Sequence, residues 1–398
     1  MTARARPARH RPVSGRSRRP SSGRGLALHA LVAVAAGARA NEVVPQLLGA
    51  SGLAERDRAF VTELVYGTVR MQRACDWLAG RHVHRQLDPR VRGALRLGAY
   101  QLAFLGTPAH AAVSATVAEV EGPGRGLVNA VLRRIAEDVA AGDLRWPDLA
   151  TELSYPDWIV ERLTADLGPE AAEAALIQMN QPATVTIRPD GYIQDPASQQ
   201  VAGHVAARPG DVVLDLCAAP GGKATALARG AGGDPALVVA ADLSERRGQV
   251  VRGNVARLGL GNVPVVVADG TRAPFRARAF DRILVDAPCS GLGVLRRRPD
   301  ARWRIQPGHV EHLTALQRDL LDGAIGLLRP GGLLVYSVCT LTAAETVEID
   351  RWLARDHPEL TAAPPPEPPW EPLGRGGRLF PHSAGTDGMF LLALQAPG

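Results

Sequence analysis

The apolar residues of this chain change their period near residue 195, and that change limits the fold more than any other feature. Before it, Phe60, Val61, Leu64, Val65, Val69, Trp77 and Leu78 recur with a period of about 3.6 residues, the spacing of one buried helix face. Further helical stretches, at 25–39, 88–105, 108–120 and 125–140, are separated by Gly, Pro and Asp punctuation. After it, short apolar runs at 211–216, 236–241, 263–268, 280–285 and 332–338 alternate with helical stretches such as 244–258 and 310–328. Continuous apolar strands between helices mark a parallel sheet covered on both faces. The expected fold class is α + α/β. An all-α bundle occupies 25–142, a short connector with a helical piece around 157–180 occupies 143–194, and the sheet domain occupies 195–398. A last apolar run, 389–395, follows Gly385-Thr386-Asp387-Gly388 and reads as a hairpin-linked antiparallel strand. The Pro-rich segment 364–373 reads as a surface loop.

Charge is unevenly spread. Residues 1–24 hold eight arginines and no acid, which leaves 38 basic against 40 acidic residues in the rest. That segment reads as a disordered tail, either a salt-sensitive phosphate contact or a solvated extension, and its Arg/Ser bias also resembles a transit peptide. No run of about 18 apolar residues suggests a membrane span. The four cysteines, 75, 217, 289 and 339, form no disulfide framework and fit a reducing cytoplasm. No His/Cys cluster has metal-ligand spacing. The chain has one lysine, Lys223, against 45 arginines, and it lies inside a glycine loop.

That loop follows the first strand: Cys217, Ala218, Ala219, Pro220, Gly221, Gly222 and Lys223. It matches neither a Walker A motif nor Gly-x-Gly-x-x-Gly, yet it stands where open α/β sheets bind ligands, at a strand's carboxyl end. Asp242 ends the second strand, where an acid can accept hydrogen bonds from a ribose, and Asp269 ends the third, where an acid can meet an adenine amino group. Either acid alone is more simply a turn or cap; together they point to a nucleoside cofactor. Two thiols end the next strands, in Asp286-Ala-Pro-Cys289-Ser-Gly and Tyr336-Ser-Val-Cys339-Thr. A pair of thiols in one pocket suits methylation at carbon 5 of cytosine. That carbon is a poor nucleophile until a thiolate adds to carbon 6, and the thiolate must later be eliminated. Asp286 can hydrogen-bond the amino group and ring nitrogen of the base. Strand position leaves Cys289 and Cys339 interchangeable as nucleophile. Thr342-Ala-Ala-Glu345 reads as a capping box whose helix N-terminus favours a Cys339 thiolate. Cys217 and Cys75 read as packing residues.

These segments, with Gln194-Asp-Pro-Ala-Ser-Gln and Pro381-His-x-x-Gly-Thr-Asp-Gly-Met-Phe, resemble the Sun family of RNA cytosine-5 methyltransferases over residues 194–396. Leu64-Val-Tyr-Gly-Thr-Val-Arg, Val128-Asn-Ala-Val-Leu-Arg and Tyr155-Pro-Asp-Trp-Ile-Val-Glu-Arg-Leu resemble the family's bacterial small-subunit rRNA branch, which carries an N-terminal NusB-like RNA-binding domain. The resemblance implies a Rossmann-like catalytic domain. It implies S-adenosylmethionine held by residues 217–223, Asp242, Asp269 and Asp286, with Asp286 and Lys223 organising the base. It gives the nucleophilic attack to Cys339 and product release to Cys289.

The family's longer RNA-binding insert is shortened here, since Asn180-Gln-Pro reaches Gln194-Asp-Pro within about a dozen residues. Pro196 and Val338 also depart from the family's usual motifs. Arg296, Arg297, Arg298, Arg302 and Arg304, with Trp303 between them, read as a compensating phosphate track with a stacking platform, or as a solvated loop. Arg125, Arg133 and Arg134 read as a solvated helix face or a second set of phosphate contacts. The expected activity is 5-methylcytosine formation in small-subunit rRNA by a monomer. The alternatives are the same chemistry on tRNA and a noncatalytic RNA-binding or assembly factor.

Overall fold

The helical half folds as its periodicity requires. A computed structural model describes residues 22–142, 144–230 and 236–398, so the arginines within 1–21 lie outside the described residues. By internal contacts the chain divides into two units, Met1–Thr68 with Leu78–Asp143, and Val69–Trp77 with Leu144–Gly398. Helices Gly23–Ala35, Ala40–Gly49, Glu55–Arg70, Gln72–Gly80, Pro89–Ala103, Ala109–Ala118 and Gly124–Ala141 run through the first part of the chain. Val61, Leu64 and Val65 are buried on one face of Glu55–Arg70, as their spacing demands. In Gly124–Ala141 the buried residues are Val128, Val131, Leu132 and Ile135, while Arg125, Arg133 and Arg134 are exposed on the other face. The predicted stretch 25–39 ends early, at Ala35, and a second helix starts at Ala40.

The connector holds two longer helices, Asp157–Leu167 and Pro169–Gln178, rather than one piece. Gly168 at φ 83° and the proline after it make the break. Among the described residues nine strands form the sheet: β1 (Val212–Asp215), β2 (Leu237–Asp242), β3 (Val265–Val267), β4 (Phe280–Asp286), β5 (Leu328–Val338), β6 (Thr361–Ala362), β7 (Glu371–Leu373), β8 (Gly376–Leu379) and β9 (Met389–Gln395). Their order is β3-β2-β1-β4-β5-β9-β8-β7, with β6 also on β9. The first five strands pair parallel and β9 lies antiparallel on β5, Tyr336 opposite Leu392. Alternate residues fill two separate cores. Val213, Val238, Leu284, Val335 and Leu391 face one; Leu214, Ala241, Ile283, Val285, Tyr336 and Leu392 face the other.

The C-terminal expectations need two corrections. β9 is antiparallel, but it is reached from β8 through the short helix Pro381–Ala384, not through a tight hairpin turn. Asp387 is instead drawn inward by two arginines, which removes its segment from turn duty. The Pro-rich segment is mostly exposed, yet Pro366 and Trp370 are buried and Glu371–Leu373 pairs with β8. Trp370 Nε1 donates to Gln200 Oε1 at 2.7 Å, and the indole carries the loop into the core.

Candidate active site

The strand order reverses direction between β1 and β4, so the loops after these strands splay apart and leave a crevice at their carboxyl ends. The glycine loop 217–223 lies there, between β1 and the helix Gly222–Arg229. Gly221 adopts φ 102°, a left-handed conformation that a side chain would strain, and it turns the chain directly into that helix. Asp242 braces the loop: Oδ2 accepts from Ala219 N at 3.2 Å and Oδ1 from Ser244 N at 3.1 Å. Arg188, buried, donates to Gly222 O at 2.7 Å, Gln194 Oε1 at 2.9 Å and Thr225 Oγ1 at 3.1 Å, and so fixes the other side of the loop. Asp269 is exposed and caps its own turn, accepting from Thr271 N and Oγ1, which hold its carboxyl below the usual range.

Asp215, at the end of β1, is the unusual group. It is 1% exposed, and neither carboxylate oxygen has a hydrogen-bond partner among the described residues. Burial first, and then the charge of Asp286, pushes its carboxyl up to about 7. A glycine turn, a braced loop and an orphaned buried carboxylate at the sheet's switch point fit a cationic nucleoside donor in this crevice.

Lys223 reaches from the loop to Asp286, with Nζ 2.6 Å from Oδ2. Burial pulls the ammonium down, but the Asp286 charge and hydrogen bond outweigh it and leave Lys223 above its ordinary value. Beyond Asp286 and Ser337, the last paired residues of β4 and β5, come the two thiols, and their sulfurs lie 3.3 Å apart. Cys339 is held below the usual thiol range. The Cys289 hydrogen bond is the main cause, opposed by burial and the Asp286 charge and helped by Arg298 and Lys223. Cys289 is correspondingly raised well above it, by the same bond and by burial. Either sulfur can donate to the other across this contact, and the two thiols are shifted in opposite directions, Cys339 down and Cys289 up. Cys217 is raised too, by burial and by Asp215, which fits a packing residue. Cys75 is buried.

The helix behind Cys339 is not the cause. The capping box does not form, because the helix there begins only at Val347 and its N-cap Thr346 makes no side-chain cap bond. Thr342 Oγ1 does donate to Glu345 Oε2, at 2.8 Å, but Glu345 turns toward the Cys289 loop instead of the helix amides. The arginine track is also corrected. Arg296 and Arg297 are consumed by Asp195 and Asp387. Arg302 is fully buried over the Tyr155 ring at 3.8 Å, donates to Ser154 O and Asn180 Oδ1, and is lowered by burial to about 10. Trp303 Nε1 donates to Val69 O at 2.7 Å, and Arg304 pairs with Asp300. Of this set Arg298 and Arg304 are exposed. The segment holds the unit together, and the reason is local burial that a run of charges conceals. Sequence reasoning passed over Arg188, Ser290, Thr340 and Asp387; the flanking positions of the cysteine motifs were the available signal for the middle two.

Sheet order, donor loop and thiol pair place the chain among S-adenosylmethionine-dependent methyltransferases. The model of the 16S rRNA methyltransferase RsmB/F family matches residues 202–395, and that of the NusB family matches residues 21–137. The chain belongs to the RsmB/F family. The ribosomal RNA small subunit methyltransferase B of Thermus thermophilus is 37% identical, over 95% of this chain and 98% of that protein. The putative methyltransferase MT1451 of Mycobacterium tuberculosis is 37% identical, over 99% of each chain. That alignment spans 467 positions, more than the 398 residues here, so the relative carries segments that this chain lacks. The crystal structure of PH0851 shares the fold, with a TM-score of 0.75 at 22% identity, over 94% of this chain and 98% of that one. Among the described residues no helix is long and apolar enough to cross a membrane, and no group of His, Cys, Asp and Glu could hold a metal ion.

Proposed function

We propose that this protein forms 5-methylcytosine in 16S rRNA through a covalent adduct between Cys339 and carbon 6 of the target base. The observation that carries the reading is the pair of sulfurs 3.3 Å apart, shifted in opposite directions, beside the Lys223–Asp286 pair. The Thermus relative's name supplies the RNA class. S-adenosylmethionine, held by residues 217–223 with Asp242, Asp269 and Asp286, supplies one methyl group as an electrophile.

The remaining steps belong to the chain and the base. A cytosine flipped out of its stack enters the crevice, where Asp286 meets its amino group and ring nitrogen and Lys223 fixes Asp286. The Cys339 thiolate forms a bond to carbon 6, and the displaced electron pair makes carbon 5 nucleophilic enough to take the methyl group. The proton on carbon 5 then passes to a base, its electron pair restores the double bond, and the bond from Cys339 to carbon 6 breaks. Cys289, protonated and in hydrogen-bond reach, stabilises the departing sulfur as it becomes a thiolate again. The helical NusB-like domain, over 25–142, binds RNA in this reading, and the protein works as a cytoplasmic monomer.

Labelled-methyl transfer to purified 16S rRNA and to tRNA is the direct test. Cys339→Ala should lower transfer by at least ~10³-fold, as loss of a covalent nucleophile does. Cys289→Ala should accumulate a protein–RNA adduct that survives denaturation. An adduct trapped by Cys339→Ala instead would reverse the roles. Transfer to tRNA alone would move the substrate.

A further inference from the structure

Adjacent strands do not by themselves hold two thiols in contact. Cys289 lies three residues past Asp286 and Cys339 two past Ser337, the last ladder pair of β4 and β5. One further backbone bond, Ala287 N to Ser337 O at 3.0 Å, extends the pairing before the loops separate. What joins the loops beyond that point is a buried side-chain network. Ser290 and Thr340, the residues following each cysteine, share a hydroxyl–hydroxyl bond of 2.8 Å. Thr340 Oγ1 also accepts from Thr342 N.

We propose that Glu345 is the positioning residue of this site, clamping the Cys289 and Cys339 loops into one rigid unit and so setting the contact between the thiols. Its carboxylate is 0% exposed and has no salt-bridge partner among the described residues. Four donors fill it instead. Oε1 accepts from Ser290 N at 2.8 Å and Gln317 Nε2 at 3.1 Å; Oε2 accepts from Ser290 Oγ at 2.5 Å and Thr342 Oγ1 at 2.8 Å. Two of these come from the residue after Cys289 and one from the residue three past Cys339. Gln317 ties the clamp to the helix Pro307–Ile325 and, at 2.9 Å, to Pro288 O, the carbonyl just before Cys289. Tyr336 OH closes the far side, donating to Glu345 O at 2.8 Å. A buried anion with no counter-cation is costly, and apolar residues of the same volume would be the cheaper way to build a core there. The arrangement makes sense if the fan of donors is needed for orientation. Among the described residues, no other side chain bonds both cysteine loops with two oxygens.

The inference rests on Cys339 being the nucleophile, and the two ideas fail in different experiments. Cys339→Ala tests that reading through transfer, whereas the clamp is tested through thiol reactivity, which needs no RNA. In the full-length protein, peptide-resolved alkylation of Cys339 across pH, S-adenosylmethionine binding and methyl transfer are compared for Glu345→Ala, Glu345→Gln and Ser290→Ala. Glu345→Ala is expected to bind S-adenosylmethionine as the parent does and to lose about 10²-fold in transfer, the scale of a 1 Å misplacement. Its Cys339 alkylation should move toward higher pH, because Cys289 no longer stabilises the thiolate. Glu345→Gln keeps the shape, with the hydroxyls of Ser290 and Thr342 turning to accept from its amide, and should recover roughly tenfold of the loss. Ser290→Ala removes one of the four donors to Glu345 together with the hydroxyl bond to Thr340 that joins the two loops, and serves if Glu345→Ala does not fold. Parent-like transfer with an unchanged alkylation profile would overturn the proposal. So would loss of S-adenosylmethionine binding in step with transfer in every variant, which would make Glu345 a support of the fold and nothing more.

Discussion

Cys339 takes its acidity from neighbours drawn from separated parts of the chain: Cys289 in contact, then Arg298 and Lys223 by charge, against burial and Asp286. Arg298 is the informative one to remove, because it is exposed and its guanidinium is not needed to fill space. Losing a nearby cation raises a thiol, so less thiolate remains at neutral pH, while well above the ordinary thiol range parent and variant converge. Arg298→Gln is accordingly expected to alkylate at Cys339 roughly threefold more slowly near pH 7. The difference should shrink as ionic strength rises, since an exposed charge is screened. A variant with the same rate at pH 7 in low salt would remove Arg298 from the account. At this scale the residue types in the sequence said that two thiols share a pocket. The contacts that lower Cys339 come from segments distant in the chain, Cys289 first among them, and the local capping box expected to do so is not formed.

At the scale of elements, the site depends on two strand ends and one glycine contact. Leu284 lies in the middle of β4 with no exposed surface, packed into the core on one face of the sheet. Leu284→Ala should cost about 2–5 kcal/mol, read by denaturant unfolding. A loss below ~1 kcal/mol would mean that the sheet collapses around the cavity with little penalty. Gly293 is different in kind. Its N–H donates to Cys339 O at 3.0 Å, and a Cβ there would stand 2.2 Å from Gly388 O, a backbone atom that cannot swing away. Gly293→Ala is expected to destabilise by about 1–3 kcal/mol and to slow transfer more than its stability loss explains, because the carbonyl of Cys339 is displaced with it. Strand existence was readable from apolar runs. The start of β5 at Leu328, four residues before the predicted run, was not, because the chain crosses Pro330-Gly331-Gly332 and the register against β4 shifts there.

For the molecule as a whole, Asp215 ties folding to pH. Its carboxyl is raised to about 7 in the fold, against about 4 for an ordinary aspartate. Between those values the folded protein holds a proton that the unfolded chain has released. This group's contribution therefore falls as pH rises through that window, and its penalty is constant above it. Asp215→Asn, which cannot ionise, should show a smaller drop in Tm between about pH 5.5 and 8 than the parent, measured without S-adenosylmethionine. An equal drop in both would show that Asp215 does not titrate in that range. By itself the sequence determined the two-part architecture, the strand-end positions of the donor loop and both cysteines, and the expected chemistry, because apolar period and short motifs are local properties. Only the tertiary structure decided that Arg296 and Arg302 are interior struts, that Glu345 faces Ser290, and that the sulfurs of Cys289 and Cys339 meet. Burial and hydrogen-bond partners arise where distant segments converge, and no local pattern in a chain records which segments those are.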